Sequence, residues 1–134
     1  MENGNCICTS LRRAARFSSE LYDDALAPSG LKVTMYRLLK QIRDREFESL
    51  TELADHLDLE RSTLGRNIKV LERRGLVARH QGADERAMNV ELTQSGEDAL
   101  AEAEPLWFAA QKEMRSRLDD SVDDLLRLLD QIEA

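Results

Sequence analysis

The chain has 134 residues, 34% of them charged and 4% aromatic, and a formal net charge of -7. This length suits one domain, or one domain with a dimerisation element, and the acidity opposes indiscriminate binding to polyanions. No apolar run approaches the roughly 20 residues that span a bilayer. No basic-then-apolar start marks a secretion signal, and two cysteines, Cys6 and Cys8, cannot form a disulfide framework, so a cytoplasmic location with reduced thiols is expected.

Apolar spacing predicts a first helix over about Ser10 to Ala27, with Leu11, Ala14, Ala15, Ser18, Leu21, Tyr22 and Ala25 on one stripe. Pro28 and Gly30 end it. A second helix begins near Val33 and turns Met35, Leu38, Leu39 and Ile42 inward, before a polar break from Arg43 to Glu46. Ser49 or Thr51 caps a third helix, with Glu52 as capping-box partner and Leu53, Ala54 and Leu57 inward. A turn from His56 to Glu60 leads to a fourth helix, about Arg61 to Arg74, which buries Leu64, Ile68 and Leu71 and stops at Gly75.

Leu76 to His80 then reads as a strand, followed by a loop around Gly82. Met88, Val90 and Leu92 alternate with Asn89 and Glu91, the pattern of a half-buried return strand. Thr93 caps a fifth helix carrying Leu100, Ala103, Trp107, Ala110 and Met114, with Pro105 expected to bend it. A last helix spans about Asp120 to Ile132. The expected fold class is mainly α with a small β-hairpin wing (α+β). It is organised as an N-terminal dimerisation helix (1–30), a winged helix-turn-helix (31–94) and C-terminal dimerisation helices (95–134).

Charge is unevenly distributed. From Arg61 to Arg79 six basic residues face Glu72 alone, a net of +5, whereas 95–134 hold eleven acids and four bases, a net of -7. On a wheel of about 100° per residue, Ser62, Arg66, Lys69 and Arg73 lie opposite the buried stripe of the fourth helix, with Thr63, Asn67 and Val70 on its flanks. These groups suit base edges and phosphates. A solvated basic face explains that helix taken alone. After a short helix and a tight turn, and before a hairpin, DNA reading is the better account. At the hairpin, Arg86 is suited to a narrow minor groove, and Asp84 to holding it extended. The alternative is a winged-helix module for protein contacts, without DNA binding. No activated nucleophile, paired catalytic carboxylates, phosphate loop or metal set is present in the pattern, so neither an enzyme nor a cofactor is expected. His56 and His80 stand too far from Cys6 and Cys8 in sequence to suggest zinc.

The chain resembles the MarR family of transcriptional regulators. The resemblance is carried by Leu59-Glu60-Arg61-Ser62-Thr63-Leu64-Gly65-Arg66-Asn67 and by Leu71-Glu72-Arg73-Arg74-Gly75-Leu76-Val77. Asp84-Glu85-Arg86-Ala87, Val90-Glu91-Leu92-Thr93 and Gly96 complete it. It implies a homodimeric repressor on a pseudo-palindromic operator, with Ser62, Thr63, Arg66 and Asn67 toward the major groove and Arg86 toward the minor groove. Lys69 and Arg73 remain for the DNA backbone. It also implies an interface built from the first, fifth and sixth helices. The residues argue the same way, since Leu118, Val122, Leu125, Leu126, Leu129 and Ile132 form an apolar face expected to need a partner, as does Leu11 of the first helix, with intramolecular packing as the alternative. Finally, it implies release by a small effector, such as an aromatic carboxylate or phenol, or by an oxidant. Tyr22, Tyr36, Phe17 and Trp107 are candidates to line an effector cleft, with Arg16 as its cation, while core packing is the better account of Phe17 and Trp107. Cys6 and Cys8, near a helix start and Arg12 and Arg13, are the redox candidates.

Overall fold

A computed structural model of the chain describes residues 5–44, 47–80 and 89–134. Helix α1, Ile7–Leu26, begins three residues before the predicted start, because Ser10 N–H donates to Cys6 O at 3.0 Å and closes a turn there. A 3-10 turn, Ala27–Ser29, ends it. The Ser29 hydroxyl donates to Leu26 O (2.6 Å) and accepts from Leu31 N–H (3.2 Å), and Gly30 takes φ 76°. Helix α2, Val33–Asp44, is started from outside itself, since Asp23 of α1 accepts from Val33 N–H at 2.8 Å.

Helix α3, Leu50–His56, is capped by Ser49, whose hydroxyl accepts from Glu52 N–H (3.1 Å). The Glu52 carboxylate reaches back to Glu48 N–H (3.1 Å), one residue before the position a strict capping box would use. Helix α4 is Arg61–Arg73. Strands β1, Val77–Arg79, and β2, Val90–Leu92, pair antiparallel with Val77 opposite Leu92 and Arg79 opposite Val90. They are shorter than predicted, yet Leu76 and His80 still join the ladder: Thr93 N–H donates to Leu76 O (3.0 Å) and His80 N–H to Asn89 O (2.8 Å). The hairpin tip, 81–88, with Gly82, Asp84, Arg86 and Met88, lies outside the described residues.

Helix α5, Gln94–Leu118, continues through Pro105, which removes one backbone donor without ending the helix. A 3-10 turn, Asp119–Ser121, leads to α6, Val122–Glu133, in which no residue is buried. The core gathers Tyr36, Leu39 and Ile42 of α2, Leu53 of α3, Leu64, Ile68 and Leu71 of α4, Val90 of β2 and Leu100 of α5. Tyr36, the one aromatic of α2, is fully buried with its ring stacked on Trp107 of α5 at 5.7 Å between centroids, while Met35 is half-buried. α1 lies along α5, and no helix is long and apolar enough to cross a membrane among the described residues.

The junction of the hairpin with α5 is the tightest backbone approach. Thr93 Oγ1 accepts from Gly96 N–H (3.1 Å) and donates to Gly75 O (2.6 Å), and a Cβ on Gly96 would stand 2.0 Å from Leu76 O. Because the neighbour is backbone, it cannot step aside. Gly96→Ala is expected to lower stability by about 1–3 kcal/mol, the usual range for overpacking. Urea denaturation followed by circular dichroism would register this as a lower midpoint.

Candidate nucleic-acid interface

α3 and α4 are joined by one backbone device used twice. After α3, Asp58 adopts φ 56°, its N–H donates to Asp55 O (3.1 Å), and Leu59 N–H donates to Ala54 O (2.8 Å). After α4, Gly75 adopts φ 76°, with Gly75 N–H on Glu72 O (2.9 Å) and Leu76 N–H on Leu71 O (2.9 Å). Both are Schellman closures, which turn the chain sharply while satisfying the last carbonyls. The first directs the chain from α3 into α4, and the second directs it from α4 into the hairpin.

Leu64, Ile68 and Leu71 are buried, so the opposite side of α4 must face outward. Ser62, Arg66, Lys69 and Arg73 are exposed, and Thr63 and Asn67 are half-buried on one flank. Arg66 donates to Thr63 Oγ1 at 3.2 Å. Among the described residues Arg61, Arg66, Lys69 and Arg73 form no ion pair, while Glu72, the single acid of α4, is taken by Arg79 at 3.4 Å. Arg74 points the other way and ties the end of α4 to the α1–α2 turn, donating to Gly30 O (3.0 Å) and to Met35 Sδ (3.2 Å). His80 Nε2 lies 3.1 Å from Glu91 across the hairpin.

Two cavities bear on function, one beside α4 and one farther from it. One, of about 210 Å³, is lined by Leu50, Arg61, Leu64, Gly65, Arg79 and Asn89. Period-two alternation puts Arg79 on the same hairpin face as Val77, which is the face turned toward α4. Asn89 Oδ1 is buried without a hydrogen-bond partner among the described residues. Gly65 sits inside α4 with ordinary helical backbone, and a Cβ on it would meet nothing within 4 Å. A helical Gly costs about 1 kcal/mol relative to Ala, and no close packing among the described residues requires it.

The second cavity, about 220 Å³, lies between α1, α2 and α5 and is lined by Ser18, Ser19, Tyr22, Val33, Arg37, Trp107 and Gln111. Of the predicted effector residues Tyr22 and Trp107 line it, and the Tyr22 hydroxyl donates to Gln111 Oε1. Burial raises the Tyr22 pKa above its ordinary value, with Arg115 opposing. Tyr36 belongs to the core, its hydroxyl buried and without a partner among the described residues, and burial together with Glu104 raises its pKa. Arg16 is exposed and does not line the cavity, whose cation is Arg37 of α2. Helix spacing gave no sign of Arg37, because the cavity exists only once α2 packs across α1 and α5. Phe17 is 47% exposed under the Arg117 guanidinium, 4.9 Å from its ring centroid, so it is neither cavity wall nor core.

Cys6 and Cys8 are exposed. The backbone and hydroxyl of Thr9, followed by the backbone of Cys8, lower the Cys6 thiol pKa below its usual value; the expected influence of Arg12 and Arg13 is not among the causes. No group of three or more His, Cys, Asp or Glu is placed to hold a metal among the described residues.

Residues 34–80 match a family described as "Helix-turn-helix domain". The chain is 32% identical over 92 residues to the uncharacterized HTH-type transcriptional regulator YwoH of Bacillus subtilis (strain 168), covering 69% of this chain and 67% of YwoH. It superposes on the M. tuberculosis transcriptional regulator MosR in complex with DNA at a TM-score of 0.80. That pair is 39% identical and covers 96% of this chain and 97% of MosR. The chain belongs to the MarR family. Another MarR-type structure, the transcriptional repressor CouR bound to a 23-mer DNA duplex, aligns at a TM-score of 0.82 with 27% identity, over 96% of this chain and 93% of CouR. The chain is accordingly a DNA-binding transcriptional regulator, and its hairpin is the MarR wing.

In this MarR head the angle between α3 and α4 depends on the left-handed Asp58, a conformation that β-branched residues resist. Asp58→Val is expected to lower stability by about 1–2 kcal/mol, and Asp58→Gly is expected not to lower it. Thermal unfolding of the two variants side by side measures the difference.

Proposed function

We propose that the chain acts as a homodimeric repressor of a pseudo-palindromic operator. The observation that carries DNA reading is the face Ser62, Arg66, Lys69 and Arg73, exposed and without acidic partners among the described residues. In this reading Ser62, Thr63, Arg66 and Asn67 approach base edges in the major groove, with Arg66 as the principal base contact. Lys69 and Arg73 meet phosphates, and Arg86, oriented by Asp84, enters the minor groove. The parts are the dimerisation helix 1–30, the reading head 31–94 and the dimerisation helices 95–134. Pairing is supported by apolar side chains left in solvent on the three expected helices. Ile7 and Leu11 on α1 are 75% and 38% exposed, Phe108 on α5 is 56%, and Leu126 and Ile132 on α6 are 51% and 60%. Leu118, Val122, Leu125 and Leu129 are half-buried beside them. Twofold pairing of these faces sets two α4 helices about one DNA turn apart.

Selection of bound duplexes from a random pool tests this. The expected product is an inverted repeat with half-sites about 10 base pairs apart. Arg66→Ala is expected to weaken binding by roughly 1–3 kcal/mol and to relax preference at one position of each half-site. A folded dimer that recovers no preferred sequence would favour the protein-contact module instead.

The effector is a small aromatic carboxylate or phenol held in the α1–α2–α5 cavity. Arg37 pairs with its anion, Trp107 packs on its ring, and Tyr22, Ser18 and Gln111 offer hydrogen bonds. CouR, a relative of 26% identity, is also known bound to p-coumaroyl-CoA. Oxidation at the exposed Cys6, whose thiol pKa is lowered, is the second input. Arg37→Gln is expected to leave operator binding intact while abolishing its release by aromatic acids. A gel-shift titration with benzoate-type ligands, on the variant and the unsubstituted chain, checks it. Equal release from both would remove Arg37 from the effector site.

A further inference from the structure

If α4 lies in the major groove and the wing in the neighbouring minor groove, the stretch of protein between them faces the sugar-phosphate backbone that separates the grooves. That stretch is the cleft between the start of α4 and β1, lined by Arg61 of α4 and Arg79 of β1. We propose that this cleft seats one DNA backbone phosphate, gripped by Arg61 and Arg79, and that Gly65 is kept without a side chain so that the strand can come close. The inference rests on the DNA-reading orientation above and adds two phosphate-binding residues to it.

Three independent features support the assignment. Two arginines line one concave site, and a guanidinium is the side chain best suited to phosphate. Arg61 has no ion-pair partner among the described residues. Arg79 leans on Glu72 at 3.4 Å, with both side chains still reached by solvent. This contact holds the guanidinium at the rim and leaves other N–H groups free, because a guanidinium carries five donors. Gly65 lies on the cleft wall in a helix it weakens, and none of the described side chains or backbone fills the space beside it. A close-approaching backbone is the standard reason for such a glycine.

The test uses the full chain and the duplex recovered by random-pool selection, with anisotropy titrations across salt concentration. Arg61→Gln and Arg79→Gln are each expected to weaken binding roughly tenfold at moderate salt and to reduce the log–log salt slope by about one. The loss should be equal on the selected duplex and on an unrelated one, since phosphate contacts carry no sequence information. Arg79→Lys should keep the slope. Glu72→Gln separates ion-pair stability from phosphate binding, and is expected to leave the slope unchanged. Gly65→Ala should melt at a higher temperature than the unsubstituted chain yet bind DNA more weakly. Unchanged slopes in both Gln variants, or a loss confined to the selected duplex, would overturn the assignment while the regulator reading stands. Failure of the unsubstituted chain to select any duplex would overturn that reading and the cleft assignment together, and only that failure appears without a substitution.

Discussion

The seating of Leu64, Ile68 and Leu71 in the core is the contact on which the rest of the molecule depends. These side chains are at most 1% exposed, and burying each is worth about 1.5–3 kcal/mol. On the other side of the same helix, Arg66, Lys69 and Arg73 stand three and four residues apart as like charges, which disfavours the helix by only a few tenths of a kcal/mol per pair. Burial therefore wins by an order of magnitude and fixes the rotation of α4. The repulsion it overrides remains on the surface as a cationic stripe, and a polyanion relieves that repulsion while the core goes on holding the helix in place.

Rotation alone does not place a helix; its ends must be fixed as well. At the start, the left-handed Asp58 delivers the chain from α3 at a set angle. At the end, Gly75 turns the chain into β1, and Arg74 reaches back to Gly30 and Met35. Gly30 belongs to the turn between α1 and α2, and α1 and α2 also form walls of the cavity lined by Tyr22 and Arg37. Thr93 and Gly96 then lock the hairpin to the start of α5, whose later turns supply Trp107 and Gln111 to that same cavity. The reading helix is thus joined at its end to the elements that enclose the cavity, by a side-chain tether on one side and by close backbone contact on the other.

What could be read in the sequence follows from how local each cause is. The α3 cap, the α4 stripe, the Gly75 stop and the Thr93 cap are set by neighbours within a few residues, and each stands where periodicity and capping chemistry put it. The alternation of β2 is equally local. The start of α1 was missed because Cys6 is a weak cap by type and a backbone bond to Ser10 closes that turn. The cavity cation was missed because Arg16 and Arg37 lie on different helices, and only the packing of α2 against α1 and α5 decides which of them reaches the space. Tyr36 has a polar tip and a large apolar body; stacking on Trp107 takes it into the core, which its spacing alone does not reveal.

An acidic chain can carry a DNA-reading head because charges act over short distances in salt. Beyond about 8 Å at physiological ionic strength, exposed charges are largely screened, so the head answers to its own surface rather than to the net charge of -7. Among the described residues no ion pair joins α4 to the acidic segment 95–134. Two of the eleven acids there pair within their own helices, Glu113 with Arg117 and Asp124 with Arg127. The one acid on α4 pairs with Arg79 of the hairpin, a partner that keeps its other donors at the cleft rim. Among the described residues Arg61, Arg66, Lys69 and Arg73 are therefore left without an ion-pair partner from the rest of the chain. The charge that a duplex meets is that of the head's own surface, and the acids of 95–134 weigh on it only where they come within a screening length.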